Sequence, residues 1–127
     1  MNKTILITGA VAALLAVLLG AFGAHGLEKL VDKTSIDSFQ TGVRYQMYHA
    51  IVCIILGNMT VIKDVVKKRI FYFFLSGMIL FSGSIYVLVV DEVLGISFKN
   101  IGFVTPLGGF MLILGWIFFI ISLVKIK

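Results

Sequence analysis

The chain has 127 residues, of which 60% are hydrophobic and only 13% are charged, and its mean hydropathy is +1.10. Soluble domains carry roughly 25% charged residues, so a water-soluble monomer of this composition would expose more apolar area than water tolerates. The composition excludes a soluble enzyme, a disordered protein and a disulfide scaffold, and the single cysteine, Cys53, cannot form an intrachain disulfide. It indicates a small integral membrane protein.

The formal net charge is +5, from 11 Lys and Arg against 6 Asp and Glu. A basic balance in a soluble domain would suggest nucleic-acid binding. In membrane proteins, Lys and Arg in short loops set the orientation of the chain instead. We therefore expect the lipid bilayer, and no nucleic acid, as the partner of this chain.

Four apolar segments follow one another, and each is close to the ~20 residues that a helix needs to cross the hydrocarbon. None shows the alternation of a membrane-barrel strand. The first begins like a signal peptide, but its apolar run is longer than a typical signal core, so we expect it to be retained. The sequence predicts one all-α domain over residues 1–127, a four-helix transmembrane bundle with spans at about 4–24, 45–62, 70–90 and 107–124.

Residues 34–43, between the first two spans, predict a short interfacial helix. Thr34 or Ser35 can cap its start, with Asp37 favourable in the first turn. We expect this helix to lie on the membrane and to continue into the second span, although the same apolar face would also serve simply to cover the outer end of the bundle. The apolar residues recur at spacings of three and four: Ile36, Phe39, Val43 and Met47.

The distribution of Lys and Arg predicts the orientation. One side carries seven of them and the other side carries four. The positive-inside rule then places both termini in the cytoplasm of a multi-pass plasma (inner) membrane protein, with residues 25–44 and 91–104 facing outward. The seven are Lys3, Lys63, Lys67, Lys68, Arg69, Lys125 and Lys127, and the four are Lys29, Lys33, Arg44 and Lys99.

Small residues form strips along three of the spans, and such strips let two helix backbones approach closely. We slightly favour packing within the bundle, while a homo-oligomer or a membrane-protein partner stays open. Thr105 and Pro106 are suited to the N-cap and the first position of the fourth helix. The strips are Ala12, Ala16, Gly20 and Ala24, then Ser76, Gly77, Gly83 and Ser84, and finally Gly108 and Gly115.

Polar side chains are expected to gather in the outer half of the bundle, where they must face each other or a wet cavity because polar groups in a bilayer are costly. They form a hydrogen-bonded network that locks the bundle, or they bind a lipid headgroup, quinone or other small amphiphile, or, least favoured, two histidines ligate a metal or haem. The candidate ligand-binding residues are His25, Arg44, Tyr45, Tyr48, His49, Ser82, Ser84 and Tyr86.

A catalytic site is less well supported than a binding site. No acid lies inside a span, because Asp91 and Glu92 stand at the end of the third. Ser82 or Ser84 with His49 would lack the orienting carboxylate that a serine nucleophile needs. The sequence therefore assigns no catalytic residue, no metal ligand and no cofactor, and a non-enzyme is favoured.

Four blocks stand in order along the chain: GAFGAHGL at 20–27, YQMYH at 45–49, FSGSIY at 81–86 and TPLGG at 105–109. Together they resemble the family called domain of unknown function 423, over nearly the whole chain. The resemblance implies a four-span bacterial inner-membrane protein and no established reaction, substrate or cofactor. We expect the outer cluster to bind a lipid, another amphiphile or a partner protein, and the alternative is a redox or metal/haem-binding membrane subunit that uses the two histidines.

Overall fold

The computed structural model describes residues 2–96 and 99–127. These residues form helices and no strand, so the all-α fold class is confirmed. Residues 97 and 98, in the connection predicted to face outward, lie outside the described part. The long helices are α1 (Asn2–His25), α2 (Lys33–Asn58), α3 (Asp64–Leu94) and α4 (Val104–Val124), and short 3₁₀ helices span Leu27–Lys29 and Lys99–Phe103.

The four helices form an up-and-down bundle in which each packs mainly on the next along the chain. In the described residues, α1 forms no comparable interface with α3 or with α4. We call the end that holds residues 26–32 and 99–103 the upper end, and the end that holds residues 59–63 the lower end. Because α1 is not in extensive contact with α3, the bundle leaves a groove between these two helices.

Three helical segments in the described residues are long and apolar enough to cross a membrane, namely Asn2–Lys29, Asp64–Leu94 and Ile101–Val124. Helix α2 is more polar and is not one of these three segments. Its 26 residues give it a length of about 39 Å, which is enough to cross ~30 Å of hydrocarbon. Composition therefore supports three spans, and the fourth span stays a prediction.

Helix α2 begins twelve residues before the span predicted at 45–62 and is continuous through the segment 34–43. The predicted interfacial helix is thus the first part of α2. Its cap is Asp32, whose carboxylate accepts from the Ser35 backbone N–H at 2.8 Å. The expectation of a Thr34 or Ser35 cap is wrong, since Asp32 stands at the N-cap and its carboxylate bonds the free Ser35 N–H. The apolar face packs inward around buried Phe39 and covers the upper end of the bundle.

Glycines bring α3 and α4 into contact. A Cβ atom built on Gly108 would lie 2.6 Å from the Leu80 carbonyl carbon, and one on Gly115 would lie 2.7 Å from the Phe74 ring. Backbones can approach this closely only where a side chain is missing. Gly83 does not belong to this contact, because a Cβ atom there would have nothing within 4 Å.

The close approach of α1 to α2 occurs at glycines outside the predicted strip of the first span. A Cβ atom on Gly9 would lie 2.9 Å from the Ala50 carbonyl oxygen, and one on Gly23 would lie 2.9 Å from the Phe39 ring. At Gly20 the nearest atom, in Val43, would lie at an ordinary 3.4 Å. These glycine contacts join α1 to α2, and the choice between packing within the bundle and a homo-oligomer stays a prediction.

Lys67 lies inside the protein rather than on its surface. Its side chain is 1% exposed, and its Nζ donates to the Met59 carbonyl oxygen at 2.7 Å and lies 3.3 Å from the Asp64 carboxylate. From the sequence we counted Lys67 with the cations of a predicted cytoplasmic turn at 63–69, but residues 64–69 are the beginning of α3. This lysine therefore ties the end of α2 to the start of α3.

Candidate functional site

A hydrogen-bonded bridge joins α1, α2 and α3 near the middle of the bundle. Gln46 Nε2 donates to the Ala12 carbonyl oxygen at 2.8 Å, and Gln46 Oε1 accepts from the Tyr86 hydroxyl at 2.7 Å. Tyr86 was among the residues predicted from the sequence, and Gln46 was not. An amide side chain inside the second predicted span, 45–62, was the signal that could have found it.

The two selected serines of α3 bond to the helices on either side. Ser82 Oγ donates to the Gly42 carbonyl oxygen on α2 at 2.6 Å. Ser84 Oγ donates to the Phe81 carbonyl oxygen at 2.9 Å, so its one hydrogen is used and Thr105 must donate in their 2.5 Å contact. Thr105 does not cap α4, because α4 begins at Val104, one residue earlier.

His49 is buried at 4% exposure, and both of its ring nitrogens have partners. Trp116 Nε1 lies 3.1 Å from His49 Nε2, and because an indole N–H only donates, Nε2 is the acceptor. The proton then sits on Nδ1, which lies 2.6 Å from the Tyr45 carbonyl oxygen. This neutral tautomer leaves no lone pair for a metal, and it links α2 to α4.

His25 lies at the upper end of α1, with an exposed side chain. Its neighbour Gly23 sits against Phe39, which precedes His49 by ten residues, or about 15 Å of helix. The prediction that the two histidines share one level is wrong, because α2 begins at Lys33 and His49 is therefore more than four turns into it. The described residues contain no group of three His, Cys, Asp or Glu that could hold a metal.

Arg44, Tyr45 and Tyr48 lie on the exposed side of α2. Arg44 Nη2 reaches the side-chain oxygen of Gln40 at 3.5 Å, and the Tyr45 and Tyr48 rings are 5.8 Å apart. The predicted cluster thus divides into three parts. His49, Ser82, Ser84 and Tyr86 are bonded inside the bundle. The other three residues of α2 are exposed, although the Tyr45 ring lies 6.2 Å from the His49 ring. His25 is separate from both groups.

A groove of about 540 Å³ opens at the upper end, between the start of α2, the end of α3 and the start of α4. This groove was not predicted from the sequence, because the prediction for residues 34–43 used their apolar face and not the hydroxyls that recur on another face of the same helix. We call it the upper groove. Hydroxyls line it from Thr34, Ser35, Ser38, Thr41 and Thr105, and apolar surface lines it from Ile85, Leu88, Val89 and Pro106.

Some of these hydroxyls are already bonded and others can meet a ligand. Ser35 Oγ donates to the Glu92 carboxylate, and Thr41 Oγ1 donates to the Asp37 carbonyl oxygen at 2.9 Å. Within residues 2–96 and 99–127, the hydroxyls of Thr34 and Ser38 form no side-chain hydrogen bond. Because each hydroxyl both donates and accepts, this groove combines adaptable hydrogen bonding with an apolar floor.

The apolar helices and the buried interhelical hydrogen bonds define a small helical membrane protein. The model of the family described as "Protein of unknown function (DUF423)" matches residues 19–109. The chain belongs to this family, as its four sequence blocks indicated.

Relatives of similar length carry the same description as membrane proteins. The UPF0382 membrane protein YwdK of Bacillus subtilis is 40% identical over 97% of this chain and 98% of its own. The UPF0382 membrane protein SAB0533 of Staphylococcus aureus (strain bovine RF122 / ET3-1) is 36% identical over 97% of each chain. No solved structure matches this chain.

Proposed function

We propose that this membrane protein binds an amphiphile in the upper groove. The observation that carries the proposal is the pairing, in one groove of about 540 Å³, of hydroxyls from α2 and α4 with an apolar floor from α3. Ligand sites in proteins have this size and this mixture of apolar wall and few polar groups. The hydroxyls would hold the head of the amphiphile, and the floor would hold its hydrocarbon.

The proposal includes a placement in the plasma membrane. Helix α2 would complete a four-span domain, with both termini in the cytoplasm and the upper groove at the outer leaflet. The excess of Lys and Arg at the lower end supports this orientation. Arg44, which is exposed one turn from Thr41, would then meet an anionic head, and the contact of Tyr45 and Tyr48 with ligand stays a prediction.

Labelling of single cysteines with a membrane-impermeant maleimide tests the placement. We expect Lys29→Cys, at the upper end, to react in intact cells, and Lys68→Cys, at the lower end, to react only after permeabilisation. Both side chains are exposed, while the native Cys53 is fully buried and should stay silent. The reverse pattern of labelling would show that the protein is inserted the other way up.

Native mass spectrometry tests binding in the upper groove, with phosphatidylglycerol as the probe because its head carries hydroxyls and a negative charge. The double variant Thr34→Val with Ser38→Ala removes two hydrogen-bonding groups, and we expect roughly tenfold weaker retention of the lipid. Thr60→Val is the matched control, since Thr60 is exposed at the lower end. If the double variant and the wild type retained the lipid equally, the upper groove would be excluded as the binding site.

The two histidines do not favour the alternative of a redox or metal/haem-binding subunit, because they lie far apart and His49 has both nitrogens bonded. A homo-oligomer or a membrane-protein partner stays a prediction. The glycine contacts of α1, α3 and α4 described above are made within the chain, so they support packing of the bundle itself.

A further inference from the structure

A second groove, of about 340 Å³, lies between α1 and α3 with α2 beneath it. It exists because α1 and α3 each pack on α2 rather than extensively on each other in the described residues. We call it the middle groove. Gly83 lines it, and a Cβ atom built there would have nothing within 4 Å. The other walls are mostly apolar and include Val11, Leu15, Leu75, Met78 and Ile79.

The amide of Gln46 is a buried polar group in the wall of this groove. Its side chain is only 8% exposed, and it lines the groove together with Tyr86. Its oxygen accepts from Tyr86, and its nitrogen donates one hydrogen to the Ala12 carbonyl oxygen. An amide nitrogen has two hydrogens, and the second has no acceptor among residues 2–96 and 99–127.

The depth of this amide limits what can meet it. Ala12 is ten residues from the start of α1, and Gln46 is twelve residues from the end of α2, so each lies about 15 Å or more from the nearer helix end. A phospholipid keeps its charged head at the membrane surface because charge in the bilayer centre is costly. An unpaired donor in apolar surroundings also costs free energy, which an acceptor on an uncharged lipophilic molecule would recover.

We infer that the middle groove binds an uncharged lipophilic carbonyl compound of the quinone class, whose carbonyl oxygen accepts the second hydrogen of the Gln46 amide. The apolar tail lies along the walls from α1 and α3, in the open space beside Gly83. This site is separate from the upper groove, and it does not depend on the function proposed there.

Nuclear magnetic resonance of protein labelled with ¹⁵N-glutamine tests the inference, because the chain contains only Gln40 and Gln46. The probe is decyl-benzoquinone, added to the full chain in detergent. We expect one of the two Gln46 side-chain amide protons to shift, while those of Gln40, on α2 near Arg44, stay in place as an internal control. Decylbenzene, which has the same tail and no carbonyl, should not produce this shift.

Two variants separate binding from folding. Gly83→Leu fills the groove at a position with free space, so we expect it to fold and to abolish the shift. Gln46→Met keeps the length of the side chain but removes both amide hydrogens, and it should weaken quinone binding about tenfold. Thr41→Val, in the upper groove, should leave binding unchanged.

The inference is overturned if Gln46 does not respond to the quinone, if decylbenzene produces the same shift, or if Gly83→Leu retains it. A shift produced by a diacyl phospholipid and not by the quinone would also overturn it, since the ligand would then be an anchored lipid.

Discussion

Gly108→Ala should lower the free energy of unfolding by about 2 kcal/mol or more. A Cβ atom at this position would lie 2.6 Å from the Leu80 carbonyl carbon and 2.7 Å from the Phe81 Cα. These are backbone atoms of α3, so no side-chain rotation relieves the overlap and the two helices must separate. The higher helix propensity of alanine returns at most about 1 kcal/mol, so the net effect is destabilising.

Thermal unfolding in detergent, followed by the fluorescence of Trp116, measures this effect. Gly109→Ala is the matched control, because a Cβ atom there would meet the Phe81 ring at an ordinary 3.8 Å. We expect the control to keep or slightly raise the melting temperature. If the two variants have the same melting temperature, the contact between α3 and α4 is looser than the structure shows.

Lys67→Glu should destabilise the protein by about 3 kcal/mol or more, the range seen when a buried charge is left uncompensated. The substitution places a carboxylate at a position that is 1% exposed. There it would face the Met59 carbonyl oxygen, and it would lie near Asp64, which carries the same charge. The lower connection between α2 and α3 would then open.

Lys68→Glu changes the net charge by the same amount at the next residue, where the side chain is exposed. We expect this control to stay within about 0.5 kcal/mol of the wild type. Yield from membranes and the melting temperature in detergent report both variants. If both variants lost a similar amount of stability, the net charge of residues 63–69, and not the burial of Lys67, would determine stability.

Helices α1, α3 and α4 could be predicted from the sequence because each holds a long apolar run, and the length of such a run is itself the signal of a membrane helix. The start of α2 could not be found in this way. Its first turns carry charged and hydroxyl residues, among them Lys33, Asp37 and Ser38, so hydropathy placed the beginning of the segment at 45. The periodicity of 34–43 predicted a helix that continues into this span, but as an interfacial helix, so His49 was expected near the outer edge of the membrane and close to His25.

The polar residues also show which features could be predicted from the sequence and which could not. That His49, Ser82 and Tyr86 need partners follows from their chemistry in an apolar chain. That those partners are Trp116, the Gly42 carbonyl and Gln46 depends on the contact between helices. The burial of Lys67 could not be predicted either, because a lysine-rich segment between two apolar spans is normally exposed.

The hydropathy of a segment depends only on its own residues, so the sequence alone determined that this is a helical membrane protein. The four sequence blocks likewise identified its family without the structure. Neighbouring helices, by contrast, set their register through side-chain shape at distant positions, such as Gly23 against Phe39 and Gly108 against Leu80. Only the tertiary structure could therefore decide that the histidines are separated, that most buried polar side chains bond to backbone carbonyl oxygens, and that two grooves stay open between the helices.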